Sequence, residues 1–328
     1  MADLSVRYLG LGLRNPLVVA ASGLTATSAG VRKAAEAGAG AVVLKSLFEE
    51  QLEAELAPAG AAIDAGAHPE AADFLSRAGW TEGSADYLKL IREAKAAAGP
   101  APIIASVNCR GEAAWVEYAG RIAESGADAL ELNIAFMPFS ASEGGAEIEE
   151  RVLRVVSGVR AATGLPLAVK LGPGYTSLPH LAASLAAAGA GALVLFNRFF
   201  RLDIDLETLS LKPGPLRSSG EDYHESLRWI SVLYERAGCE LAAGTGVHDA
   251  EAALKLVLAG ASAVQLCSAI YQRGWGAIAE IRQGMESWLE RRGEPSLSAL
   301  RGRLSQTRSE DPERYLRLQY IQALTGLS

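Results

Sequence analysis

The sequence predicts an α/β fold, a (β/α)8 barrel of the TIM type with an N-terminal hairpin and insertions after its second and sixth strands. Three observations predict it. Eight short apolar runs recur along the chain, Ala-rich amphipathic segments separate them, and the short intervals between run ends are one βα unit long. The runs are NPLVVAASG, GAVVLKS, PIIASVNC, DALELNI, LPLAVKLGP, GALVLFN, CELAAGTG and SAVQLCS. Their ends at Ala21, Lys45, Val107, Asn133, Lys170, Phe196, Ala243 and Cys267 are 24, 62, 26, 37, 26, 47 and 24 residues apart. Near-continuous apolar strands alternating with helices require a parallel sheet covered on both faces, and eight units favour closure into a barrel. No GxGxxG follows the first strand, which argues against an open dinucleotide-binding sheet.

Each element has its own local signal. Ahead of the first run, LSVRYLGLGLRNP alternates like a small hairpin suited to plugging the lower end of the barrel. SAGVRKAAEAGA, EYAGRIAESGA, IEERVLRVVSGVRAATG, LPHLAASLAAAGA and HDAEAALKLVLAGA read as helices, each closed by Gly or a turn residue. The two long intervals locate the insertions, 47–82 and 198–224. Both follow strand C-terminal ends, the face on which barrel enzymes build their sites, so either is placed to cover a substrate. Trp275 to Arg292 and Pro312 to Leu324 read as outer helices. With no Pro/Ser-rich linker, the expectation is one domain over 1–328, its barrel at about 15–285 and C-terminal helices over 286–328.

Composition narrows the function classes. With 49% hydrophobic and 21% charged residues the chain can bury a large core, and 31 basic against 38 acidic residues give a net charge of −7. A net negative surface disfavours unspecific binding to nucleic acid or anionic lipid. Cys109, Cys239 and Cys267 form no CxxC pair, so neither a disulfide framework nor a metal knuckle is expected. No apolar leader follows Met1, and the longest apolar stretch, Leu181 to Phe196, is too short for a membrane span. The cytoplasm is the expected compartment.

In a barrel, the last polar residue of a strand points into the mouth, and this chain supplies Ser22, Lys45, Asn108, Asn133, Lys170 and Asn197. Two lysines close together at a rim are costly unless something anionic or electron-rich lies between them. The bland alternative is a carboxylate partner for each across the barrel. Gly244-Thr245-Gly246 before one helix and Cys267-Ser268-Ala269 at the start of the next resemble the phosphate-binding corner formed by the last two loops of many barrels.

NPLVVAASG, VVLKS, ALELNI, PLAVKLGP, FN, AAGTGV and AGASAVQLCSAI, in that order and spacing over about residues 1–285, resemble the dihydroorotate dehydrogenase superfamily of FMN-containing barrels. The resemblance implies an FMN across the mouth. Ala21, Ser22 and Gly23 would pack on the flavin, Lys45, Ser46, Asn108, Asn133 and Asn197 would reach its ring, and Gly244, Thr245, Gly246, Cys267, Ser268 and Ala269 would hold its phosphate. Lys170 matches the lysine that the family places by N1 and O2 of the ring, where two-electron reduction puts negative charge. Lys45 and Lys170 are the implied catalytic cations. No metal is expected.

The departures from the family concern the substrate side. Where dihydroorotate dehydrogenases read N-x-S-C/S-P-N, with the Cys or Ser taking the substrate proton, this chain has Asn133-Ile134-Ala135-Phe136-Met137-Pro138, and Phe136 accepts no proton. The NSMGLPN segment expected after the second strand is replaced by the insertion around His68 to Trp80. Asn133, Phe136, Asn197 and Arg198 are the expected substrate contacts. Arg198 has two readings, a carboxylate clamp or an ion-pair partner of Asp203 or Asp205. Cys109 reads as a small core thiol before a proton donor, and Tyr175 as a ring covering its loop. His248 and Asp249 are expected to start a helix, His224 lies in an insertion within possible reach of substrate, His180 is isolated, and EEQLEAE reads as a solvated face.

The expected function is an FMN-dependent oxidoreductase, closest to the dihydroorotate dehydrogenase-like proteins. It would move a hydride between flavin and a small anionic substrate at a CH–CH bond, and that substrate is expected not to be dihydroorotate. Alternatives are an authentic dihydroorotate dehydrogenase with a displaced base, a flavin-free phosphate-binding isomerase or synthase, and a catalytically silent FMN carrier. A homodimer and a separate electron-transfer partner are expected.

Overall fold

A computed structural model of the chain describes residues 2–49, 84–136, 140–198 and 201–326. It opens with the predicted hairpin, β1 (Val6–Tyr8) and β2 (Leu11–Leu13), paired antiparallel with Tyr8 opposite Leu11. The two linking residues, Leu9 and Gly10, both have positive φ, 54° and 72°, the twist that a two-residue hairpin turn needs. Next come β3 (Leu17–Val19), α1 (Ser28–Glu36), β4 (Ala41–Val43), the two-residue β5 (Leu47–Phe48), α2 (Ser84–Ala97), β6 (Ile103–Asn108) and α3 (Glu112–Ala123). They are followed by β7 (Ala129–Asn133), α4 (Gly145–Ala162), β8 (Leu167–Leu171), α5 (Leu178–Ala187), β9 (Ala192–Leu195) and the hairpin β10 (Leu202–Asp205) and β11 (Ser210–Pro213). The chain finishes with α6 (Tyr223–Leu233), β12 (Glu240–Ala243), α7 (Ala250–Ala259), β13 (Ala263–Leu266), α8 (Ser268–Arg273), α9 (Gly276–Arg292) and α10 (Tyr315–Thr325).

All eight predicted runs are strands, and they close. Parallel pairing runs β3–β4–β6–β7–β8–β9–β12–β13 and returns from β13 to β3, with Val264 opposite Leu17 at the seam. A sheet without edges, covered outside by helices, explains why β3, β7 and β8 are buried at every position. The helices obey their caps. Thr27 accepts the Gly30 N–H at the start of α1, and Asp249 accepts the Ala252 N–H at the start of α7, as expected for that residue. At the floor of the barrel, the Leu9 N–H donates to the Glu240 carboxylate at the start of β12, and Leu9 packs over Gly191 just before β9. The hairpin is the expected plug.

The insertions are less uniform. Nearly all of the one after the second strand, including His68 and Trp80, lies outside the described residues, as do Met137 and Pro138. The one after the sixth strand folds as β10–β11 and then a strap over 214–222 that leads into α6. Leu202, Ile204, Leu206, Leu209, Leu211 and Leu216 of this insertion are each more than half exposed. The period-2 signal of β10 and β11 was hidden among charges, and α2 and α6 were not among the helices read from the sequence, although Tyr87, Ile91 and Ala94 and then Tyr223, Ser226, Ile230 and Leu233 form buried stripes at helical spacing. Among the described residues, no helix is long and apolar enough to cross a membrane.

Candidate active site in the barrel mouth

The C-terminal ends of the strands surround an open cleft whose atom-free space, including its opening to solvent, is about 1320 Å³. That is ample for a nucleotide-sized ligand. One wall is Ala20 to Gly23 after β3, and a second comprises Phe196, Asn197 and Arg198 after β9. Lys45 and Lys170 line it together, so the two predicted cations do share one space. Gly244 to Val247, Cys267 and Ser268 form the far end, with residues 214–218 of the strap and Tyr271 over it. Among the described lining residues five are cationic, Lys45, Lys170, Arg198, Arg201 and Arg217, and none carries a carboxylate. In a chain of net charge −7, that concentration of one sign specifies an anionic ligand.

Local backbone prepares the far end. Thr245, a β-branched residue, sits at φ 67°, and Gly246 follows at φ 79°. A Cβ on Gly246 would lie 2.1 Å from the Tyr223 backbone nitrogen, so only glycine fits. Thr245 Oγ1 donates to the Phe196 carbonyl at 3.0 Å, fixing a conformation that such residues otherwise avoid. Ser218, from the strap, ties the two corners. Its hydroxyl accepts the Gly246 N–H and meets His248 Nε2 at 3.0 Å, while its own N–H donates to Ser268 Oγ at 2.9 Å. Burial, with the Arg273 charge adding to it, holds the His248 imidazole below its ordinary pKa.

The ring of polar strand ends is also built. Asn197 Nδ2 donates to Asn133 Oδ1 at 2.7 Å, and Asn108 Nδ2 donates to the Asn133 carbonyl at 2.8 Å. Asn133 stands in register with Lys170. Lys170 is buried, with Nζ 3.7 Å from Glu131 Oε1. The expected carboxylate partner of this lysine therefore exists, on the next strand.

Other predicted residues lie elsewhere. The Ser46 hydroxyl bonds Ser106 Oγ at 2.8 Å in the core, and Ala269 is fully buried within α8. Phe136 packs its ring 4.0 Å beneath the Arg151 guanidinium and does not line the cleft. His224 stacks on Tyr223, outside the cleft lining. Cys109 is buried, and burial, with the Glu149 charge, pushes the Tyr175 hydroxyl up to about 12.

Arg198 is an ion-pair residue, but neither expected partner is the right one. Asp203 pairs with Lys212, and Asp205 accepts N–H groups of its own turn. Arg198 instead meets Asp222 at 2.8 Å and donates to the carbonyls of Pro215 and Arg217, clamping the strap to the barrel. Sequence reasoning missed Arg217 and Ser218 because nothing in an isolated insertion tells which residues fold back over the mouth, and it missed Tyr271 in α8, which lines the same cleft. It also missed Glu131 and Gln265, which did carry a signal: each is a lone polar residue inside an apolar strand. Among the described residues, no group of three or more His, Cys, Asp or Glu side chains can hold a metal ion.

Fold and mouth together define a barrel enzyme whose cleft, at the C-terminal ends of the strands, carries a cationic lining. The sequence profile of the dihydroorotate dehydrogenase family matches residues 3–289, and the chain belongs to that family. It is 31% identical over 303 residues to the dihydroorotate dehydrogenase B (NAD(+)) catalytic subunit of Methanosarcina acetivorans, covering 89% of this chain and 93% of the relative. The proteins of the same name from Methanothermobacter thermautotrophicus and Pyrococcus abyssi are 29% and 28% identical, each covering 91% of this chain and 97% and 98% of the relative. The chain is accordingly an oxidoreductase acting on a CH–CH bond, with a flavin as its redox group. The mouth fits such a group: buried Lys170 and Asn197 face one end of the cleft, and glycine-built corners with free space above them form the other.

Asp222 is the anchor of the strap. Burial pushes its carboxyl up, but the Ser219 N–H and the guanidinium groups of Arg198 and Arg201 outweigh it and hold the pKa below the ordinary value. A depressed carboxyl stabilises the fold above its unfolded-state pKa, near 4, and loses that contribution as pH falls through its lower folded value. Asp222→Asn is expected to cost about 1–3 kcal/mol near neutral pH, with the difference from wild type closing as both are acidified below about pH 4. Urea unfolding as a function of pH measures it.

Proposed function

We propose that the cleft binds FMN and that the protein oxidises or reduces a small anionic substrate at a CH–CH bond. The single observation that carries this reading is the charge of the mouth, whose charged lining residues among those described are all cationic, with Lys45 and Lys170 at one end and the Gly244–Gly246 and Cys267–Ser268 corners at the other. Gly246, Ser268, Ser218 and Arg217 are the residues placed to hold the phosphate. Ala21, Ser22, Gly23, Lys45, Lys170 and Asn197 line the cleft where the ring would be oriented, and Asn133, which does not line it, accepts the Asn197 amide from behind. FMN, when bound, supplies a two-electron acceptor for hydride. Lys170 contributes a fixed charge where negative charge develops, already desolvated and so needing no rearrangement. The paired amides of Asn108, Asn133 and Asn197 hold one another in fixed orientation beside it.

Dihydroorotate, the substrate in the relatives' names, is the leading candidate. Oxidation of its CH–CH bond also needs a proton acceptor. At the position where the family resemblance expects Cys or Ser, Phe136 is held under Arg151, so the acceptor must come from elsewhere. That one residue favours a second reading, in which a different small acid occupies the same place. The expectation that dihydroorotate is not the substrate draws no support from the relatives; of the departures behind it, Phe136 is the one that bears on the missing proton acceptor, while Pro138 and the replaced NSMGLPN segment lie outside the described residues.

The names of these relatives describe a catalytic subunit and NAD(+). We propose, by the same token, a separate electron-transfer partner for this chain, a cytoplasmic location, and a single domain over 1–328. The homodimer has a natural surface in the apolar β10–β11 hairpin.

Purified protein is expected to be yellow and to hold about one FMN per chain, and a colourless preparation that takes up none sinks the proposal. Lys170→Ala is expected to slow flavin reduction by about 10²–10³-fold while weakening FMN binding far less; equal losses in both would remove its assigned role. Anaerobic addition of dihydroorotate is expected to bleach the flavin. If only other small CH–CH acids do so, the second reading holds. Leu206→Asp with Leu209→Asp is expected to convert dimer to monomer by light scattering without loss of FMN, and an unchanged mass would clear the hairpin of that role.

A further inference from the structure

The functions proposed for Lys170 leave the carboxylate behind it without a task. Glu131 lies in the middle of β7, opposite Ala168 in register, one layer deeper than the Asn133–Lys170 pair. It is essentially fully buried. Its Oε1 is 3.7 Å from Lys170 Nζ, and its Oε2 accepts a 2.6 Å hydrogen bond from Gln265 Nε2. β7 and β13 are the fourth and eighth barrel strands, so that last bond crosses the lumen. Barrel lumens are ordinarily filled by branched apolar side chains. Desolvating a carboxylate and an ammonium costs several kcal/mol per ion, and replacing such a pair by apolar residues is often neutral or stabilising. Stability therefore gives no account of the pair.

The field of Glu131 is felt widely. At the floor of the lumen, burial pushes the Tyr8 hydroxyl well up, and the Glu131 charge adds to it. Tyr8 Oη has no hydrogen-bond partner among the described residues, and neither does Gln265 Oε1. Above, the same field acts on Lys170, which lines the cleft. The pair forms a dipole whose positive end is at the mouth.

We infer that Glu131 is a positioning and charge-setting residue: it holds the Lys170 ammonium at the mouth and offsets part of its charge, so that a bound flavin experiences the difference. Gln265 fixes the carboxylate from across the lumen. This rests on the FMN reading, and its readout is the reduction potential of the bound flavin, which a merely structural residue would leave alone.

Glu131→Gln keeps the shape and, through its carbonyl, the bond from Gln265, while removing the charge. At a fixed ambient potential, the oxidised-to-reduced ratio of the bound flavin is expected to fall about tenfold relative to wild type, roughly a 30 mV rise in midpoint for a two-electron couple. The FMN dissociation constant is expected to change by less than about threefold. Lys170→Met is expected to move the ratio the opposite way, and the double variant Glu131→Gln/Lys170→Met to fall between Lys170→Met and wild type. An unchanged or lowered midpoint in Glu131→Gln overturns the inference. If that variant does not fold, the double variant leaves no unpaired charge in the lumen, and a midpoint no higher than that of Lys170→Met overturns it equally. Wild-type protein that takes up no FMN fails the flavin reading itself and removes this inference with it.

Discussion

Closure of a parallel barrel imposes one constraint from which the rest follows. Every strand must run in the same direction, so all eight C-terminal ends meet at one rim, and only there can inward side chains reach a ligand while their backbones remain fully paired. Charges placed at such a rim are partly desolvated by the fold itself. They persist only with a compensating group, and this chain supplies one for each side of the mouth: Glu131 behind Lys170, and Asp222 beneath Arg198 and Arg201. Both carboxylates lie outside the lining, so the charge that the cleft presents remains positive.

The insertion after the sixth strand adds to the barrel what its own loops lack. Its strap carries Arg217 and Ser218 over the phosphate end, with Arg217 5.0 Å from the centre of the Tyr271 ring. It stays there because Arg198 binds the Pro215 and Arg217 carbonyls and Asp222 binds Arg198. A residue read as a possible substrate clamp thus acts one step away from the ligand, by fixing backbone.

The barrel was legible because burial on both faces leaves an unmistakable trace. Eight apolar runs alternating with helical segments, several of them one unit apart, admit few other folds, and the glycine corners and rim lysines follow from where those runs end. What was not legible has two physical causes. The partners of Arg198 depend on how 198–224 folds back, which no local periodicity encodes, and β10 and β11 expose apolar residues where a solvated loop would carry polar ones. Glu131 is different. A carboxylate at the centre of ALELN contradicts the pattern around it, and that contradiction was itself the signal of a polar layer in the lumen. Family membership settles the scaffold and the reaction class, while Phe136 marks where this chain departs from the proton chemistry that the resemblance implies.

The left-handed Thr245, pinned by its hydroxyl to Phe196, has a thermodynamic corollary. A loop that orders only on ligand arrival subtracts its lost entropy from the affinity. Here the ordering cost of the turn is already met when the chain folds, so an arriving phosphate encounters amides whose directions are set, and the association should show little of the heat or rate signature of coupled rearrangement.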